Sequence, residues 1–116
     1  EAQLTRLTPP MMRALAAETF VRRAACFGES TANTATPEQG VALSAAARLL
    51  TEEIAQQTIA AVEQSVGLVH FSQGSETGRM AEDLATYLRQ AARDALLLRV
   101  GRHTLDTPRP VWEMLP

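Results

Sequence analysis

The chain has 116 residues, which allows one domain with a hydrophobic core but is small for a cofactor enzyme acting alone. Apolar residues make up 46% and charged residues 21%, with a formal charge of -2, so nothing favours nucleic acid or an anionic membrane as a partner. No apolar run approaches the roughly 20 residues that a membrane-spanning helix needs.

The start of the chain contains neither an initiator methionine nor a basic and apolar signal segment. We therefore expect a cytoplasmic protein, and the missing methionine indicates a fragment or a processed product. All eleven basic residues are arginine and alanine is the commonest residue, a composition typical of a GC-rich bacterial genome. The single cysteine, Cys26, has apolar neighbours, which predicts a small buried residue rather than a reactive thiol.

The first segment, residues 1–8, is polar and predicts a short N-terminal arm. Thr8 is suited to cap a helix, and the Pro9–Pro10 pair suits a first turn, where no backbone N–H is needed. Apolar side chains then recur on one helical face as far as Phe27, and Gly28 predicts the end of this first helix.

The segment 37–66 has the longest helical pattern. Thr36 predicts a cap, Pro37 suits the first helical position and Glu38 suits the first turn. Two apolar rows follow the segment, so a helix of about 45 Å should have neighbours on more than one side. The rows consist of Leu43, Ala47, Leu50, Ile54 and Ala61, and of Ala55, Ile59, Val62 and Val66.

A corner and two shorter helices are predicted next. Gly67 should end the long helix, and a third helix should run from near Ser75 or Thr77 to about Gln90. Its inward side chains would be Met80, Leu84, Tyr87 and Leu88. Asp94 is a candidate cap for a fourth helix that ends at Gly101.

The tail, residues 106–116, contains prolines that exclude a continuous helix, while Trp112, Met114 and Leu115 are expected to be buried on the bundle or on a partner. The predicted organisation is therefore an arm at 1–8, a helical bundle at 9–105 and this tail. The fold class is all-α, an antiparallel up-and-down bundle with one long central helix.

The chain resembles the C-terminal helical domain of the acyl-CoA dehydrogenase family over about residues 11–98, and the corner contains the motif that shows the resemblance. That family's pattern runs Gln-x-x-Gly-Gly-x-Gly-aromatic, then seven residues, then basic-x-x-Arg-Asp and a tyrosine-rich stretch. Matching positions, without a gap, are held by Gln64, Gly67, Phe71, Arg79, Asp83 and Tyr87. The departures are Leu68 and His70 at two glycine positions, Glu82 at an arginine position, and Ala91 at the position of the usual glutamate base.

The resemblance implies an FAD-dependent oxidoreductase in which this domain supplies subunit contacts and one wall of the flavin site, with an acyl thioester as the substrate class. It assigns cofactor contacts to Gln64, Gly67, Leu68, His70 and Phe71. No catalytic residue is assigned, because the methyl group of Ala91 cannot accept a proton. Glu76 would replace the base only if the corner loop folds inward; otherwise the base lies on an earlier helix, or the flavin does other chemistry or none.

The family domains that hold most of the flavin are not in this sequence. We therefore expect the chain alone to bind FAD poorly and to be inactive as an enzyme. The expected partners are further copies of the chain or N-terminal domains of the same protein. The alternative interpretation is a non-enzymatic helical module for interaction or oligomerisation, supported by the two-sided central helix and the apolar tail.

The sequence offers little support for a metal site or for a phosphate site. His70 and His103 have no ligands at metal-binding spacing, so no metal site is expected. His70 is interpreted first as a half-buried histidine at a helix end, and second as a residue facing a flavin or substrate cavity. The arginines of the last third either hold phosphates or, more commonly, form a solvated face; they are Arg79, Arg89, Arg93, Arg99 and Arg102.

Overall fold

A computed structural model describes residues 1–29, 37–88 and 93–113. Four α-helices are present in these ranges: α1 (Ala2–Glu29), α2 (Pro37–Val66), α3 (Glu76–Leu88) and α4 (Arg93–Leu105). Two short 3₁₀ helices, η1 (Gly67–Phe71) and η2 (Val111–Glu113), follow α2 and α4. The described ranges contain no strand, so the predicted all-α class is confirmed.

Helix α1 begins at Ala2, so the prediction of an arm at 1–8 followed by a helix start at Thr8 was wrong. The Pro9–Pro10 pair lies inside the helix and removes two backbone donors. The residues ahead of it are nevertheless helical. Thr5 donates its N–H to the Glu1 carbonyl at 3.0 Å, and the Thr8 hydroxyl donates to the Leu4 carbonyl at 2.7 Å.

Contacts with α2 also hold this first part of α1. The Gln3 side chain donates to the Ser65 carbonyl at 3.2 Å, and Arg6 Nη1 donates to the Gln64 carbonyl at 3.2 Å. The last carbonyls of a helix have no partner within it, and the last turn of α2 has no basic residue of its own. Arg6 therefore supplies the positive charge that this helix end favours.

Helix α2 spans Pro37–Val66, as the sequence predicts, and Gly67 follows with a φ of 70°; the predicted cap, Thr36, lies outside the described residues. A C-terminal residue in the left-handed region is a common helix stop that glycine adopts without steric cost. At its start, α2 contacts α4, where Arg99 Nε lies 3.4 Å from Glu38 Oε1. Since the start of α1 contacts its other end, α2 has neighbours in both α1 and α4.

Contacts divide the chain into two compact units. Unit 1 comprises the described residues of Glu1–Ala16 and Thr51–Ala91, and unit 2 those of Ala17–Leu50 and Ala92–Pro116. Apart from Pro10, the buried apolar side chains of the described residues all lie in unit 2; they are Ala17, Phe27, Ala42, Leu43, Ala45 and Leu49. The buried residues of unit 1 include two polar ones, Glu52 and His70.

Several apolar residues predicted to be buried are exposed. Met80 and Tyr87 on α3 are 60% and 68% exposed, whereas Leu84 and Leu88 are half-buried. Trp112 in the tail is 82% exposed, while Met114 and Leu115 lie outside the described residues. An apolar helical face is buried only where another element covers it. Among the described residues of α3 and α4, none is buried.

The prediction that Cys26 is buried was also wrong. Its thiol is free and exposed, whereas the next residue, Phe27, is buried at 8% exposure. Successive side chains on an α-helix point about 100° apart, so an apolar neighbour in sequence does not place a residue in the core.

The last helix differs from prediction at both ends. It begins at Arg93, one residue before the predicted cap Asp94, and continues through Gly101 to Leu105. In the described part of the chain, no helix has the length and apolar character that crossing a membrane requires.

Candidate functional site

The candidate site is the corner between α2 and α3, in unit 1. Gly67 begins η1 with a φ of 70°, and Gly74, with a φ of 84°, ends the turn that follows it. The Ser75 N–H donates to the Ser72 carbonyl at 3.1 Å, which closes this turn. Two left-handed glycines thus let the chain reverse direction over a few residues.

Ser75 caps α3. Its hydroxyl oxygen accepts the backbone N–H of Gly78 at 3.1 Å, the standard bond from an N-cap to the third helical residue. Glu76 then places a carboxylate in the first turn, where the helix dipole favours negative charge. The predicted start of the third helix near Ser75 is therefore confirmed.

His70 is the most buried ionisable residue of the corner, at 3% exposure. Its Nδ1 lies 3.1 Å from Thr77 Oγ1, and its Nε2 lies 3.7 Å from Glu63 Oε1. Thr77 Oγ1 in turn lies 3.1 Å from Ser75 Oγ. One imidazole thus links the end of α2, η1 and the start of α3, a role that suits a structural histidine.

A surface depression of about 840 Å³ lies beside this histidine. Phe71 lines the wall of this depression and is 69% exposed. Its ring lies edge-to-face against that of His70, with a centroid distance of 5.0 Å and an interplanar angle of 82°. The charged lining residues are the carboxylates of Glu63, Glu76 and Glu82 and the guanidinium of Arg79. The lining is therefore net negative, which disfavours phosphate groups.

The structure brings only two of the five predicted cofactor residues to the depression, His70 and Phe71. Gln64 has an exposed side chain, and its carbonyl accepts the bond from Arg6. Leu68 is 90% exposed, and Gly67 has open space where a side chain would begin. Ala91, the position of the family's usual base, lies outside the described residues.

A second depression, of about 570 Å³, lies in unit 2 and was not predicted from sequence. Arg99, Arg102 and His103 line it together with Thr107. The signal that could have found it is the spacing of residues 95, 98, 99 and 102, which lie on one face of a helix. Within the described ranges, no group of three histidine, cysteine or acidic side chains could hold a metal ion.

Comparison with protein-family models, with curated proteins and with solved structures found no match. The geometry of the chain is therefore the basis for its functional interpretation.

Proposed function

We propose that the chain is a helical assembly module that associates with a second copy of itself through one face of α1. The observation that supports this most directly is a row of four exposed apolar side chains, which we call the α1 stripe. Leu4, Leu7, Met11 and Leu15 are 70%, 38%, 54% and 58% exposed. Their spacing of three, four and four residues places them on a single helical face.

The stripe is separate from the face that α1 already buries. Among the described side chains of α1, Pro10, Ala17 and Phe27 are buried, and at 100° per residue they fall on another side of the helix. A helix that is apolar on two sides favours two neighbours. Continuous exposed apolar surface of this kind marks interaction sites in proteins, whereas scattered exposed residues do not.

Association should be lost when the stripe becomes polar. For the double variant Met11→Gln and Leu15→Gln, we expect self-association at least about tenfold weaker than that of the wild-type chain, because two apolar side chains no longer gain from leaving water. Sedimentation velocity over a range of protein concentrations measures this directly.

The matched control changes two exposed apolar residues off the stripe, Leu105→Gln and Val111→Gln, which are 73% and 53% exposed in the wild-type chain. It should associate like the wild type. A wild-type chain that stays monomeric at all concentrations, or a stripe variant that associates as tightly as the control, contradicts the proposal.

A second candidate function is one wall of a flavin site in an acyl-CoA dehydrogenase-like oxidoreductase. The observation that favours it is the position of Phe71, whose exposed ring stands beside the depression at the corner that resembles the family's cofactor corner. An exposed aromatic ring offers a surface for stacking a flat heterocycle. FAD would supply the redox chemistry when bound.

The described residues fit FAD only in part. His70 has protein partners near both ring nitrogens, and the lining carries three carboxylates against one guanidinium, which is unfavourable for a pyrophosphate. The fit is therefore limited to the flavin ring beside Phe71, and the phosphates would need other domains.

The flavin candidate predicts that Phe71→Ala lowers bound flavin. The protein in its longest natural reading frame is desalted after incubation with FAD, and the flavin absorbance that remains is measured. Tyr87→Ala is the control, because Tyr87 is equally exposed, at 68% against 69%, but does not line the depression. Colourless wild-type protein, or equal flavin in both variants, rules this candidate out.

A further inference from the structure

We propose that the depression in unit 2 is a binding site for a phosphate monoester with an apolar or aromatic substituent. The site does not depend on the assembly function, because it lies on α4 and the start of α2 rather than on the α1 stripe. Its support comes from basic side chains, a buried ring nitrogen that has no partner among the described residues, and an apolar wall.

The basic side chains are Arg99 and Arg102, which lie three residues apart on one face of α4. Arg99 Nε lies 3.4 Å from Glu38 Oε1, but both side chains are about half exposed, at 49% and 58%, so this pair is weak. Arg102 is exposed and makes no ion pair with the described residues. At least one guanidinium is therefore available to an anion.

His103 supplies the second observation. Its Nε2 is buried yet makes no hydrogen bond to the described residues. A buried polar atom without a partner is unfavourable, and nearly all such atoms in proteins are paired. The His103 ring lines the depression, and Nε2, when it carries a hydrogen, would donate to an oxyanion there once the ring turns to expose it.

The wall of the depression is apolar where Ala95 and Leu98 line it, and Thr107 adds a hydroxyl donor. Arg109 lies next to the site, in a small cleft that shares His103 and Thr107. The site thus offers three kinds of donor: guanidinium, imidazole and hydroxyl. A carboxylate has only two oxygens to accept from them, whereas a phosphate monoester has three terminal oxygens. Among the described residues of the lining, the carboxylate of Glu38 is the one acidic group.

The test is an NMR titration of the full chain with phenyl phosphate, inorganic phosphate and benzoate, followed through the ring signals of the two histidines. Phenyl phosphate should shift the His103 ring signals and leave those of His70 unchanged, since His70 is packed in unit 1. It should bind more tightly than inorganic phosphate, because its ring contacts Ala95 and Leu98, and more tightly than benzoate, because its charge is larger.

The variant Arg102→Gln should weaken phenyl phosphate binding by about tenfold or more, the usual loss for a charge-assisted hydrogen bond. The control, Arg13→Gln, removes the same charge from an exposed position on α1 and should bind like the wild type. Circular dichroism of both variants checks that the helices are retained.

Three results would overturn the proposal. One is a His103 signal that no phosphate moves, another is benzoate binding as tightly as phenyl phosphate, and the third is equal binding by both arginine variants.

Discussion

Replacing Leu43 with alanine should lower the free energy of unfolding by about 2–5 kcal/mol, the range measured for leucine deletions in protein cores. Leu43 is 1% exposed and is the largest fully buried side chain among the described residues. The loss has two parts, the apolar surface that no longer leaves water and the cavity that the neighbours cannot fill. Urea unfolding followed by circular dichroism measures the change.

The effect should be severe because unit 2 has few buried hydrophobic residues and proteins of this size are stable by only about 5–15 kcal/mol. The matched control is Leu105→Ala, which makes the same change in the same unit at a side chain that is 73% exposed. It should change stability by less than about 0.5 kcal/mol. Equal losses in the two variants would contradict the assignment of Leu43 to the core.

The long helix was predictable because its signals are local. Pro37 and Glu38 mark its start and Gly67 its end, and each acts through the backbone of its own turn. Leu43, in the predicted first row, is buried, whereas Val66 in the second row is 36% exposed. Periodicity thus identified the helix and part of its buried face.

The start of α1 was not predictable from the same rules. A proline pair is most common in a first turn, and that preference placed the helix start at Thr8. In the structure the turn ahead of the pair is held by Gln3 and Arg6, which bond to carbonyls of α2 about sixty residues away. Such long-range contacts override a local preference and leave no pattern in the segment itself.

The corner was predictable as a helix joint but not as a hydrogen-bond network. Gly67 and Ser75 mark its limits, since both act on adjacent backbone. The partners of His70 are Glu63 and Thr77, seven residues to either side, and only the path of η1 brings them to one imidazole. Sequence patterns left a choice between a structural and a cofactor-facing histidine, and these contacts favour the structural role.

The exposure of these apolar side chains was not predictable from the sequence either. Helical periodicity identifies apolar faces on α1 and α3 but does not say what covers them. Met80 and the α1 stripe have apolar character without a covering element among the described residues. Their exposure is information that only the structure supplies, and it is the reason for proposing assembly as the function.

Gly78→Ala should destabilise the corner, although alanine is the better helix former. Gly78 lies in the first turn of α3, where the change alone would stabilise by about 1 kcal/mol. A Cβ there would clash with the backbone carbonyl oxygen of His70 and lie 3.4 Å from Ser75 Cβ and Oγ. Because a backbone atom cannot rotate away, η1 and α3 must separate, with an expected net loss of about 1–3 kcal/mol.

That separation should also break the bond between His70 Nδ1 and Thr77 Oγ1, so the His70 ring signal in NMR should move together with the loss of stability. The decisive control is Gly101→Ala on α4, where a Cβ would meet nothing within 4 Å. With helix propensity acting alone, this variant should gain up to about 1 kcal/mol. Opposite signs for the same substitution would show that close approach, not backbone freedom, requires glycine at position 78. A Gly78→Ala protein as stable as the wild type would instead mean that η1 is not packed against α3 in solution.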